Sequence, residues 1–165
     1  MKRIASLRTT TLAAMAAALL QASPAGACGY DGAMIDLTAA HPRSIEVALA
    51  SRDAIDRGEL HALPPVAPVL GLSRATHLLE DFRPWVPVVA GAPEGSVAVL
   101  LVDAGLWTRY AVTAKGVAAE LHVAGPRERE LVVVTSEAAL RALLDGTLHP
   151  ERAAELGVLI VVRQP

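Results

Sequence analysis

The chain has 165 residues, 53% hydrophobic and only 3% aromatic, with 15 Lys and Arg against 17 Asp and Glu. That length suits one domain with one core, which must be built of Leu, Val, Ile and Ala. The slightly acidic balance lacks the basic footprint of a nucleic-acid partner, and a single cysteine excludes an internal disulfide framework.

At the amino terminus, Lys2, Arg3 and Arg8 give a positive start, and Thr9 to Leu20 is uncharged and apolar. Gln21 to Ala27 then turns polar and small and ends Ala25-Gly26-Ala27, the Ala-x-Ala pattern that signal peptidase reads. The apolar stretch is shorter than the roughly 20 residues of a spanning helix. Residues 1–27 are expected to be a cleavable signal peptide, and the rest to be exported to a bacterial periplasm or anchored outside the cytoplasm. Loss of the three basic groups leaves 12 basic against 17 acidic residues, a formal net of −5. Such a charge suits a soluble monomer or small oligomer. Cys28 follows the cleavage pattern directly and has two readings. It is either a free amino-terminal thiol or the lipid-modified first residue of a lipoprotein, tethered to the membrane. Ala25 stands where a lipobox usually has Leu.

Residues 28–43 show no period and are expected to be an extended lead-in to a single domain over 44–165. Ser44 is positioned to cap a helix with Glu46 in its first turn. Ile45, Ala48, Leu49, Arg52 and Ile55 mark its face, and Gly58 its stop. Pro64, Pro65 and Pro68 deny the backbone donors, so Leu60 to Leu72 reads as an extended linker. Ser73 is expected to cap a second helix. There Ala75, Leu78, Leu79 and Phe82 fall at i, i+3, i+4 and i+7, and Pro84 ends the helix. Pro84, Pro87 and Pro93 suggest a second extended connection.

From Ser96 the pattern becomes β-rich. Runs at Val97–Val102, Leu106–Thr113, Val117–Val123 and Leu131–Thr135 are separated by Asp103-Ala104-Gly105, Ala114-Lys115-Gly116 and Gly125-Pro126. They read as an antiparallel meander. Thr135 or Ser136 then caps a helix with Leu140, Leu143 and Leu144 on one face, and Gly146 stands where a left-handed cap is needed. Pro150 suits a first helical position. Gly157 closes that short helix before a last strand, Val158–Val162. The order defines an α+β domain, a mainly antiparallel five-stranded sheet with helices packed on one face.

Chemistry-bearing patterns are sparse. His41, His61, His77, His122 and His149 lack the spacing of a helical metal site or a Cys/His cluster. His77 is expected to face solvent and His149 to sit in a turn or cap. Ser73, Ser96 and Ser136 lack a Gly-x-Ser-x-Gly elbow. Glu80 and Asp81 point apart on their helix, and Gly91-Ala92-Pro93-Glu94-Gly95 lacks the ending of a phosphate loop. The sequence therefore points away from an enzyme and names no cofactor. Cys28, Met34 and His41 supply thiolate, thioether and imidazole in one irregular segment, a set that suits copper. An extracytoplasmic metal or redox accessory role is the alternative they raise.

The segment from Val97 to Val162 carries one more signal. Val132-Val133-Val134-Thr135-Ser136-Glu137 leads into the paired-leucine helix, then Gly146, a short helix from Pro150, Gly157 and a strand through Ile160. This order resembles the sterol carrier protein-2 domain. The resemblance implies a curved sheet and helices enclosing an apolar tunnel for lipid-like molecules. The pattern of the residues is compatible with this, and the candidate ligand-binding residues are Leu79, Phe82, Leu140, Leu143 and Leu144 on the helical faces, facing Val99, Leu101, Tyr110, Leu121 and Val123 on the strands. The expected function is non-enzymatic binding of a small apolar or amphipathic ligand. A structural or protein-interaction domain with a filled core is the remaining alternative.

Overall fold

The structure is a computed structural model, and it describes residues 41–165. The expected signal peptide and most of the expected lead-in, including Cys28 and Met34, lie outside the described residues. The elements are α1 (Ser44–Asp56), α2 (Pro68–Phe82), a 3-10 turn (Arg83–Trp85), α3 (Val86–Val89), β1 (Gly95–Leu101), β2 (Leu106–Thr113) and β3 (Gly116–Leu121). They continue with β4 (Leu131–Thr135), α4 (Glu137–Leu144), α5 (Pro150–Glu155) and β5 (Leu159–Arg163). The fold is α+β with one five-stranded sheet in the order β3-β2-β1-β4-β5.

The sheet is mostly antiparallel, but it is not a four-strand meander. β1, β2 and β3 form a meander through two tight turns. β4 instead lies parallel to β1, with Val97 opposite Leu131 and Leu101 opposite Thr135, and β5 closes the other edge antiparallel to β4. Length permits this. The nine residues between β3 and β4 reach roughly 30 Å when extended, and three strand spacings are only about 14 Å. The connection is therefore long enough to cross β2 and β1 and reach the far side of β1. It leaves β3 through His122, which has a left-handed backbone (φ 60°).

Strand alternation sorts the apolar residues into two layers. One face carries Val97, Val99, Leu101, Tyr110, Val112 and Val133 toward α2, α3, α4 and α5. The other carries Ala98, Leu100, Val102, Trp107, Val132 and Val134, with Val123 of the crossover and Val47 of α1 among their neighbours. α1 thus serves both layers, since its Ala54 packs with the first. Its buried residues are Val47, Ser51 and Ala54, whereas Ile45 and Leu49 of the expected face are exposed.

Local chemistry explains where elements begin and end. Ser136 caps α4 by accepting a bond from the Ala139 amide at 3.2 Å, and Pro150 opens α5. Gly146 takes the left-handed backbone (φ 70°) that ends α4. Gly157 does the same (φ 73°) at the end of α5, and that backbone is what disfavours a side chain there, since a Cβ would meet Ala50 Cβ only at a contact distance of 3.4 Å. Two expected caps fail. Ser44 is the first helical residue of α1 and makes no cap bond. α2 starts at Pro68, five residues before Ser73, because proline's fixed φ suits a first turn. Likewise the stretch with Pro84 and Pro87 is helical rather than extended, as the prolines again take early positions in short helical turns.

Candidate functional site

Nine of the ten expected ligand-binding residues converge. Leu79, Phe82, Val99, Leu101, Tyr110, Leu140 and Leu143 are buried in one cluster between the helices and the sheet, and Leu121 and Leu144 pack partly buried against it. Val123 does not join them. It follows the crossover onto the opposite face, where it packs with the Trp107 layer.

Two hydroxyls distinguish this cluster from a uniform apolar core. The Tyr110 hydroxyl donates to the Leu79 carbonyl at 2.6 Å, tying the middle strand to α2. Burial pushes its pKa well above the phenolic range, so it remains a donor. Thr108 lies two residues before Tyr110 and so faces the same helical layer. It is fully buried, and its Oγ1 finds no hydrogen-bond partner among the described residues. Val99 and Leu121 are its partners on the adjoining strands. An unpartnered buried hydroxyl costs about 1–3 kcal/mol, so its presence amid these side chains calls for a reason.

Polar contacts fix the rim at the β4–α4 corner. Arg74 of α2 donates to Glu137 at 2.8 Å and to the Pro64 carbonyl at 2.8 Å. The Glu137 amide donates to Asp103 at 2.5 Å. Desolvation raises the pKa of both carboxyls, with Arg74 opposing it at Glu137 and the Glu137 amide at Asp103. The Thr135 hydroxyl donates to the Val158 carbonyl at 3.0 Å.

A second arrangement lies at the opposite end of the sheet. Glu130, just before β4, is buried and accepts from Ser96 Oγ, from Arg109 Nε at 3.0 Å and from the Arg127 amide at 2.7 Å. Arg109 also donates to the Gly125 carbonyl at 2.8 Å, which pins the crossover. No local sequence signal marks this network, since Ser96, Arg109 and Glu130 come from three distant segments.

The remaining expectations separate. His41 Nδ1 accepts from the Arg43 amide at 3.1 Å, and its ring meets Trp107 edge-on at 6.3 Å. Burial, aided by Arg43, lowers its pKa. Its two expected copper partners lie outside the described residues. His77 is exposed as expected, and His149 immediately precedes α5. No helix among the described residues is long and apolar enough to cross a membrane.

What the fold defines is an α+β domain with a mixed sheet and a two-layered apolar core. No protein-family model matches the chain, and no curated protein matches it either.

Proposed function

We propose that this is an exported, non-enzymatic binding protein for an apolar or amphipathic ligand, built like a sterol carrier protein-2 domain. The observation that carries this reading is the Thr108 hydroxyl. It is a buried, unpartnered polar atom on the sheet face that also carries four of the residues named for the ligand, Val99, Leu101, Tyr110 and Leu121. Ligand sites are mostly apolar with a few placed polar groups. A guest with one hydroxyl, carbonyl or carboxyl group would satisfy Thr108 and bury its apolar body against Leu79, Leu140 and Leu143. Burial contributes roughly 25 cal/mol per Å² before ordering costs. The strand, capped helix, Gly146, short helix, Gly157 and strand order supports the same reading.

Because the cluster is closed and Tyr110 is bonded to Leu79, entry requires α2 to part from the sheet. Export is proposed through residues 1–27, with Cys28 as thiol or lipid anchor. Native mass spectrometry of the full chain from a bacterial host is the direct test. A co-purifying lipid, or uptake of a fluorescent fatty acid that Leu143→Trp blocks, is the expected result. No bound lipid and no uptake would overturn the reading. Intact mass separates the two fates of Cys28, since acyl chains add mass that cleavage does not.

A second reading is favoured by a different observation. Val66, Val69, Leu70 and Leu72 stand exposed around the first turn of α2, as they would in a protein-interaction domain with a filled core. Solute-independent self-association or partner capture that Leu70→Ser abolishes, with no lipid uptake, would select it.

A further inference from the structure

We infer that the groove at the Glu130 end of the sheet is a binding site for a small anionic group, a phosphate or a carboxylate. The groove has a volume of about 450 Å³ and runs between the segment before β1 and the turn before β4, with Arg127, Arg129 and Arg163 along it.

The pairing pattern of the arginines carries the inference. Of the eleven arginines among the described residues, seven make ion pairs with carboxylates. The four that do not are Arg83 and the three of this groove. Arg163 donates only to the Arg129 carbonyl, at 3.1 Å. Arg127 and Arg129 have no side-chain bond among the described residues, although Glu94 and Glu128 line the same groove. Three guanidinium groups are thus gathered without a carboxylate partner, whereas seven of the other eight arginines among the described residues have one.

The turn that presents them is built rigidly. Glu130 accepts from the Arg127 amide through its side chain, and its own amide donates to the Arg127 carbonyl at 3.2 Å. The Gln164 amide donates to the Glu130 carbonyl at 2.8 Å, and the Arg129 amide to Pro165 O at 3.5 Å. Arg129 holds a left-handed backbone (φ 58°), an unfavourable conformation for a long side chain. Guanidinium forks match phosphate and carboxylate oxygens bidentately. Glu94 and Glu128 leave the groove an excess of one positive charge, because Glu130 is already matched by Arg109. That excess suits one small anion and not a polyanion.

The groove touches the apolar cluster at Ala92 and Leu131, so the anion could be free or the head of an amphipathic molecule. Two arms of one experiment separate these sources. In the first, inorganic phosphate is titrated into the full chain and backbone amide shifts are followed. In the second, the protein is floated with phosphatidylcholine vesicles with and without phosphatidylglycerol. Saturable shifts at Gly95, Arg127 and Arg129, with Kd below roughly 1 mM, are expected for a free anion. Vesicle binding that requires phosphatidylglycerol is expected for a head group. In either case Arg127→Gln with Arg129→Gln should weaken binding about tenfold or more, while Glu94→Gln tightens it. The arginine variants remove no side-chain bond, so thermal unfolding should be unchanged. Absence of binding in both arms, or equal binding by the folded double variant, overturns the site.

Discussion

Ser51 of α1 donates its hydroxyl to Ser136 Oγ at 2.8 Å, inside the protein and across 85 residues of sequence. Ser136 is at the same time the cap of α4. One oxygen therefore closes a helix end and anchors α1 to the β4–α4 corner. Ser136→Ala should cost about 1–2 kcal/mol, since it removes a cap and strips a buried partner. Ser51→Ala should cost less, because Ser136 keeps its bond to Ala139. Urea unfolding of both variants and of their combination measures this. Losses that simply add would mean the two hydroxyls are not coupled.

Thr108 gives a prediction with two signs. Thr108→Val removes an unpartnered buried hydroxyl while keeping its shape. The ligand-free protein should gain about 1 kcal/mol of stability. If a guest's polar group bonds to Thr108, the same variant should hold that guest more weakly. Calorimetric unfolding with and without a captured fatty acid reads both effects. A variant that is destabilised without ligand would mean that the hydroxyl is bonded in the native protein.

Much of the carboxy-terminal half was legible because its signals are local. Ser136, Gly146, Pro150 and Gly157 each act within a turn of where they stand, and the Leu140–Leu143 face follows from helical period. The proline-rich segments misled, because Pro68, Pro84 and Pro87 suit a first helical turn as well as an extended chain. The parallel placement of β4 was hidden for another reason. Gly125-Pro126 looks like a tight turn, and only tertiary pinning by Arg109 makes it part of a crossover. For the candidate site, period alone brought nine residues together, and Val123 escaped with that crossover. Neither the orphan state of Thr108 nor the unpaired arginines leave any trace in spacing.

Acid titration should show the strain at the α4 start. Desolvation raises the folded-state pKa values of Asp103 and Glu137 above their ordinary 3.8 and 4.5. The folded protein then binds these protons more tightly than the unfolded chain. Their stabilising contribution is fully present below those ordinary values and is lost as pH rises through the raised ones. Asp103→Asn with Glu137→Gln should flatten this slope. His41 works with the opposite sign: its pKa is lowered from 6.5, so stability is lost as pH falls from there toward the lower value. Glu59, lowered by Arg57 and Arg152, also opposes the trend, but it is solvent-screened and fades in salt. Urea unfolding across the acid range in high salt, on a His41→Gln background, isolates the two carboxyls. An unchanged slope in the double variant would refute the assignment.

Arg109 contacts two carboxylates, and their surroundings decide which one matters. Glu120 is mostly exposed and lies 3.4 Å away, so its pair contributes about 0–1 kcal/mol. The Glu130 side chain is 1% exposed and lies 3.0 Å away, with Ser96 and the Arg127 amide on its remaining lone pairs. Removing it leaves a mostly buried guanidinium, a serine hydroxyl and a turn amide without their acceptor. Glu130→Ala should therefore cost about 3–5 kcal/mol, against almost nothing for Glu120→Ala. Because Arg109 also holds Gly125, the Glu130 variant should loosen the crossover, with faster amide exchange at Val123, whose amide donates to the Trp107 carbonyl at 3.1 Å. Urea unfolding and hydrogen exchange on the two variants make the comparison. Similar losses for both, or unaltered protection at Val123, would show that this buried pair does not hold the parallel connection in place.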